Sequence, residues 1–212
     1  MQRHSAPVRF GSIDVKTPLV VPGQRVGVMG GSFNPPHEGH AIVAQTALKR
    51  LKLDQLWWLV TPGNPLKSHN GLAPLAQRMT ACRALATHPR MQVTAFEAQL
   101  ETPYTAATLG FLAARYPGVT FIWVMGADNL ATFHRWQHWR TIAATMPIAV
   151  VDRPGWRLAA LASPAARALA HNRIPESAAR TLGTHARPSW TLLSTRFSHA
   201  SSTKLRNGTA AR

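Results

Sequence analysis

Gly30-Gly31-Ser32-Phe33-Asn34-Pro35-Pro36-His37-Glu38-Gly39-His40 holds more potential chemistry than any other stretch of this chain. Two glycines allow a tight turn and a close backbone approach to a ligand. His37 and His40 are three apart, which puts both imidazoles on one face where a helix begins. A helix start also offers free N–H groups and the positive end of the helix dipole, so the stretch suits phosphate. Imidazole N–H groups placed there can donate to phosphate oxygens. Rival readings fit the spelling less well. A dinucleotide fingerprint needs G-x-G-x-x-G, which Gly27, Gly30 and Gly31 do not give. A Walker loop needs a lysine that is absent. A zinc-protease helix needs H-E-x-x-H, whereas H-E-G-H is one residue short and has no third ligand nearby. A plain strand–turn–helix carrying two surface histidines is the bland alternative.

Such residues need elements to hold them. Arg25 to Gly30 is a short apolar run stopped by glycines and predicts a buried strand. Glu38 to Lys52 has apolar residues at helical spacing. Gln55 to Thr61 predicts a second strand, closed by Pro62-Gly63-Asn64-Pro65. Further along come a helix over Pro74–Ala86, a strand over Met91–Phe96 and a helix over Thr105–Tyr116 that stops at Pro117-Gly118. Val119 to Met125 predicts a strand ended by Gly126, Asn129 to Thr145 is helical in parts, and Pro147 to Val151 predicts another strand. Arg157 to His171 is rich in Ala and Leu and predicts one helix; Ser189–Thr195 predicts a last strand and Ser201–Asn207 a closing helix. Strands that are continuous apolar runs, alternating with helices, imply an α/β chain with a mostly parallel sheet covered on both faces. In such a sheet ligands sit beyond the carboxyl ends of the strands. Residues 1–24 are polar and punctuated by Pro and Gly, so they are taken as an extension before one domain over 25–208.

Composition narrows the classes. The chain has 212 residues, 45% of them apolar, enough for one large core. It has 24 Lys+Arg against 8 Asp+Glu, a net charge of +16. Only 15% of residues are charged, so the basicity comes from scarce acids rather than basic tracts. Anionic partners are favoured. The cations are scattered, with no run of five or six, so a specific nucleic-acid tail is not expected. A basic nucleic-acid-binding protein is the rival class; it would have dispensable histidines and steeply salt-dependent binding. The single cysteine, Cys82, excludes a disulfide framework and falls in a predicted helix, where it reads as core rather than nucleophile. No apolar run approaches about 18 residues, so no membrane helix is expected. No secretory signal is read in Met1 to Gln24, and a reducing cytoplasm is the default.

Taken with the segments downstream of it, the histidine stretch resembles the signature of nucleotidyltransferases with an H-x-G-H motif, and its longer spelling is similar to bacterial nicotinate-nucleotide adenylyltransferases. Tyr104-Thr105 with Thr108-Leu109 resembles that family's S-Y-T-x-x-T-L segment, with Pro103 in place of serine. Gly126-Ala127-Asp128-Asn129-Leu130, followed by Phe133, Trp136 and Trp139, is similar to G-x-D-x-L…F…W. Arg153-Pro154-Gly155 resembles the R-P-G turn, and Ser201-Ser202-Thr203-Lys204-Leu205-Arg206 resembles I-S-S-T-x-I-R, with Ala200 and Leu205 replacing isoleucines. The motifs run in the family's order from Arg25 to about Asn207.

The resemblance implies a Rossmann-like, doubly wound single domain that joins nicotinate mononucleotide to the adenylyl group of ATP and releases pyrophosphate, in NAD biosynthesis. Attack is direct, with no covalent enzyme intermediate, so the protein mainly positions groups and neutralises charge. It implies that His37 and His40 are the catalytic pair. Gly30, Gly31, Ser32, Phe33 and His40 would hold ATP, with Gly126 and Asp128 toward the ribose and Ser201, Ser202, Thr203 and Arg206 on the outer phosphates. Ser32, Phe33, Lys67, Thr105, Trp136 and Arg153 would hold nicotinate mononucleotide, with Trp136 stacking on the pyridine. Asp128 as a mere helix cap, Trp136 as core, and Lys67 and Arg153 as solvated cations are the plain alternatives. Mg²⁺ is expected to arrive on the ATP phosphates rather than in a protein cage, and no protein metal site is expected.

Overall fold

Continuous apolar runs become strands here because both faces of the sheet are covered. The computed structural model describes residues 15–62, 71–100 and 104–195. Six strands among them form one sheet: β1 (Arg25–Gly31), β2 (Gln55–Val60), β3 (Met91–Thr94), β4 (Thr120–Gly126), β5 (Ile148–Val151) and β6 (Trp190–Leu193). Their spatial order is β3-β2-β1-β4-β5-β6, and all five pairings are parallel. The chain winds outward from β1 through β2 to β3, then returns to the far side of β1 and winds the other way. This is the doubly wound order, and its switch point lies between β1 and β4. Gly30 and Gly31 at the end of β1 pair with Leu59 and Val60, while Gly126 at the end of β4 pairs with Val151. The glycine ends of β1 and β4 therefore flank the switch-point crevice.

Alternation along each strand divides the core in two. Val26, Val28, Trp57, Leu59, Trp123 and Met125 belong to one apolar cluster, packed under α3 (Thr105–Arg115), α4 (Ala127–Thr132) and α5 (Trp139–Thr145). Leu56, Trp58, Val60, Ile122 and Val124 belong to the other, under α1 (Glu38–Arg50) and α2 (Leu75–Leu85). Adjacent indoles at Trp57 and Trp58 thus serve opposite faces. Residues ahead of β1 are tied to the domain as well. The Thr94 hydroxyl donates to the Lys16 carbonyl at 2.8 Å, Gln55 Nε2 donates to the Leu19 carbonyl at 2.9 Å, and the Gly23 N–H donates to the Gly118 carbonyl at 2.8 Å.

Two expectations are corrected. The single helix over 157–171 is two, α6 (Arg157–Leu161) and α7 (Pro164–Ala168), followed by a 3-10 turn at Ala170–Asn172. Pro164 has no N–H to continue a helix, and the Ser163 hydroxyl accepts the Ala166 N–H at 3.2 Å, capping a new start. The third strand ends at Thr94, and Phe96–Gln99 turns into 3-10 geometry because the Thr94 hydroxyl captures the Phe96 N–H at 3.2 Å. The stretch expected to be helical in parts is so: α4 passes into a 3-10 turn at Phe133–Arg135, and α5 begins after His138, whose φ of 54° is left-handed. Residues 176–184 form a 3-10 run that the sequence reading does not anticipate. The expected closing helix at Ser201–Asn207 lies outside the described residues.

Candidate active site

α1 starts directly over the end of β1, so its first turn points into the switch-point crevice. His37 is its N-cap and is buried; His40 sits in its first turn. The two rings lie 3.9 Å apart between centroids. The His37 backbone N–H donates to His40 Nδ1 at 3.2 Å. A neutral His40 therefore carries its proton on Nε2, leaving one N–H as a donor. Phe33 is buried, has a left-handed φ of 45°, and packs edge-on to His40 at 4.9 Å and beside Trp58 at 5.3 Å. That φ costs a non-glycine residue about 1–2 kcal/mol and has to be held by its surroundings.

Two other strand ends reach the same place. Asp128 lies in the first turn of α4, and its Oδ2 accepts from Arg153 Nη1 at 2.9 Å. Arg153 follows β5, and its own N–H donates to Asp152 Oδ1 at 2.8 Å; buried Asp152 also accepts from Arg157 at 2.7 Å. A Cβ on Gly126 would stand 2.5 Å from Asp128 Oδ1 and 3.0 Å from Arg153 Cδ, so a larger residue there would push this ion pair aside. A Cβ on Gly39 would stand 3.0 Å from His37 Nδ1 and 3.1 Å from Arg153 Nη2. The guanidinium and the imidazole are thus neighbours over the start of α1. Burial first, and the Arg153 charge second, push the His37 pKa down to about 4, with Asp128 partly opposing them. His37 is neutral at pH 7, and its buried Nδ1 has no hydrogen-bond partner among the described residues.

The structure thus gathers Gly30, Gly31, Ser32, Phe33, His37, His40, Gly126, Asp128 and Arg153 at one crevice. Trp136 adjoins it through Trp123, the indole against which Gly30 packs. The Trp136 ring meets Trp123 edge-on at 6.4 Å and Phe133 edge-on at 5.5 Å. Thr105 opens α3 and is not brought against the histidine turn by any described contact. Lys67, Ser201, Ser202, Thr203 and Arg206 lie outside the described residues. Among the described residues, no three His, Cys, Asp or Glu side chains converge as a metal site. No helix among them is long and apolar enough to cross a membrane.

The comparisons with known proteins agree with this geometry. The cytidylyltransferase-like family matches residues 28–208. A relative from Rhizobium meliloti, named probable nicotinate-nucleotide adenylyltransferase, is 59% identical over 86% of this chain and 97% of its own length. One of the same name from Rhizobium johnstonii is 56% identical over 89% of this chain and 94% of its own. The chain belongs to the nicotinate-nucleotide adenylyltransferase family. Two solved structures of Plasmodium falciparum nicotinic acid mononucleotide adenylyltransferase, complexed with APC and with NaAD, share its fold at TM-scores of 0.63 and 0.65. They are 15% and 16% identical and cover 87% of this chain and 83% of theirs, a likeness of fold alone.

For a nicotinate-nucleotide adenylyltransferase family member, the site holds residues that the motifs do not flag. Arg78 is buried and donates to the Ser32 carbonyl, anchoring the turn after β1. Glu97 is buried, accepts the Thr108 hydroxyl at 2.6 Å, and so ties the start of α3 to the end of β3. Burial raises its pKa, and the Thr108 hydrogen bond offsets this in part. The folded chain therefore keeps this proton to higher pH than the unfolded chain, so the contribution of Glu97 to stability falls as pH rises above its ordinary value of 4.5. Glu97→Gln removes the charge and keeps the shape. It should melt at or a few degrees above the wild type at pH 8, with a smaller gap at pH 5. A lower melting temperature at pH 8 would show that the ionised carboxylate is the stabilising form.

Proposed function

We propose that this chain transfers the adenylyl group of ATP to nicotinate mononucleotide, giving nicotinate adenine dinucleotide and pyrophosphate, as a cytoplasmic step of NAD biosynthesis. Identity of 54–59% over nearly the whole length of relatives bearing that name carries the reading. In the reaction a phosphate oxygen of the mononucleotide attacks the α-phosphorus of ATP. The bond from the α-phosphorus to its bridging oxygen breaks, and pyrophosphate leaves with that electron pair. No protein nucleophile is needed, which fits a crevice of imidazole, guanidinium and backbone donors. Cys82 is buried, and burial pushes its thiol up to about 12, far from a thiolate.

In this reading the catalytic domain spans 25–208. The backbone of Gly30, Gly31, Ser32 and Phe33 cradles the reacting phosphates. His40 donates from Nε2, and neutral His37 gives one further N–H, to charge building on the α-phosphorus and the departing oxygen. Arg153 stands between the two substrates, close to His37 and held by Asp128. The remaining Asp128 oxygen, Oδ1, is buried without a partner among the described residues and suits a ribose hydroxyl. Thr105, at the free N–H end of α3, suits the nicotinate carboxylate. Lys67, Ser201, Ser202, Thr203 and Arg206 complete the set on the strength of their motifs. Mg²⁺ would travel on the triphosphate, since Asp128 is already paired and no acid cluster lies among the described residues. It would neutralise charge on the leaving pyrophosphate.

Pyrophosphate release from ATP and Mg²⁺, with nicotinate and nicotinamide mononucleotide in parallel, tests this directly. Release with the acid and little with the amide is the expected result. Comparable rates would keep the reaction and overturn the substrate preference. No release with either from folded protein would overturn the proposal. Trp136 supplies a finer check. Trp136→Ala should raise the KM for the mononucleotide about tenfold, the scale of one lost aromatic stack, with much less effect on the KM for ATP. Equal effects on both would remove the ring-stacking role.

A further inference from the structure

Arg78 is almost fully buried, yet no carboxylate among the described residues pairs with it. Its donors go to four backbone carbonyls instead. Nε donates to Ala73 at 2.8 Å, Nη1 to Ser32 at 2.7 Å and to Thr61 at 2.8 Å, and Nη2 to Pro62 at 3.2 Å. Those carbonyls come from three segments: the turn after β1, the end of β2 and the lead into α2. A buried cation without a counter-ion is costly, and these carbonyl acceptors are what makes it tolerable. Core packing alone would be served as well by methionine or leucine. The placement is explained by what the guanidinium fixes.

The peptide unit is planar and trans, so fixing the Ser32 carbonyl aims the Phe33 N–H in the opposite direction. The preceding carbonyl is fixed too, because Gly31 accepts the Thr61 N–H at 3.0 Å. Asn34 ties the far side of the turn to the same lead into α2: its Nδ2 donates to the Gly71 carbonyl at 2.9 Å, and its Oδ1 accepts the Ala73 N–H at 3.2 Å. Phe33, between these anchors, is the residue with the left-handed φ of 45°. We infer that Arg78 is a positioning residue for adenylyl transfer: by holding the Ser32 carbonyl it presents the Phe33 N–H, and the strained turn around it, to the reacting phosphates. The inference rests on the proposed function, which places ATP over this turn. Lysine cannot replace it, because a single ammonium lacks the planar fork that reaches all three segments.

Arg78→Lys and Arg78→Met are compared with the wild type for pyrophosphate release, at a temperature well below each variant's melting midpoint. Both should lower kcat at least tenfold while circular dichroism stays native. A merely structural role would lower the melting temperature and leave kcat within twofold, and that result overturns the inference. Should neither variant fold, the wild type still decides. Arg78 side-chain N–H exchange and the Ser32 and Phe33 amides are followed by ¹⁵N NMR with and without a non-hydrolysable ATP analogue and Mg²⁺. Slowed Arg78 exchange together with shifted Ser32 and Phe33 amides supports the role. Analogue binding that leaves all three unchanged overturns it. If the wild type releases no pyrophosphate, the reaction reading fails by itself, and the same NMR experiment still judges Arg78 through binding.

Discussion

His40→Ala should lower turnover by about 10²–10³-fold while the protein stays folded. The first half follows from the donor it removes. The His37 N–H occupies His40 Nδ1, so the proton of the neutral ring is on Nε2. A preorganised donor aimed at charge that develops in the transition state contributes about 3–4 kcal/mol to the barrier. The second half follows from the same hydrogen bond. Alanine leaves the His37 N–H unpaired at the start of α1, a cap loss of about 1 kcal/mol. It also leaves Phe33 packed on Trp58 and Gly31. Turnover by pyrophosphate release and unfolding by denaturant, measured on the same preparation, separate the two effects. Near wild-type turnover from a folded His40→Ala protein would end the catalytic assignment.

The parts of this site that could be read from the sequence are the local ones. Gly30, Gly31 and Gly126 mark the ends of buried strands by stopping apolar runs, and His37 and His40 declare a shared face by their spacing. Chemistry written between distant strands could not be read. Asp128 follows β4 and Arg153 follows β5, and only the β4–β5 pairing that sets Gly126 beside Val151 brings them together. The neutrality of His37 has the same origin, since it needs burial under the fold and an arginine from another strand end. Arg78 was harder still. Its partners are backbone carbonyls, which have no spelling, so it reads as one scattered cation among many. The break at Ser163-Pro164 is a different kind of miss. A serine cap with proline in the first turn is a legible helix start, and the Ala and Leu around it masked the signal.

Arg153→Met should lower kcat/KM about 10²-fold, the scale of one charged donor lost from a partly desolvated site, and should move the titration of His37 at the same time. In the proposed reaction, removing the guanidinium takes away a cation beside the incoming phosphates. It also frees Asp128, whose carboxylate then faces those phosphates unpaired. Both changes oppose the binding of an anion. The same two changes act on His37. Arg153 is the second cause holding its pKa near 4, and Asp128 works against it, so the value rises in the variant. That shift has a stability consequence of fixed sign. Between pH 6.5 and about 4 the unfolded chain takes up a proton that folded His37 refuses. The wild type therefore keeps this contribution in full above pH 6.5 and loses it as pH falls toward 4. In Arg153→Met the window closes from its acid end, so the variant loses less stability between pH 7 and pH 5 than the wild type does. Ring NMR of His37 and unfolding at the two pH values measure this without reference to turnover. Arg153→Lys divides the causes: it keeps the charge that depresses His37 but not the fork held by Asp128. It should therefore leave His37 near its wild-type titration and still lose activity. If Arg153→Met leaves both the His37 titration and kcat/KM unchanged, the guanidinium belongs to the surface, and the anion must be met by the two imidazoles and the backbone alone.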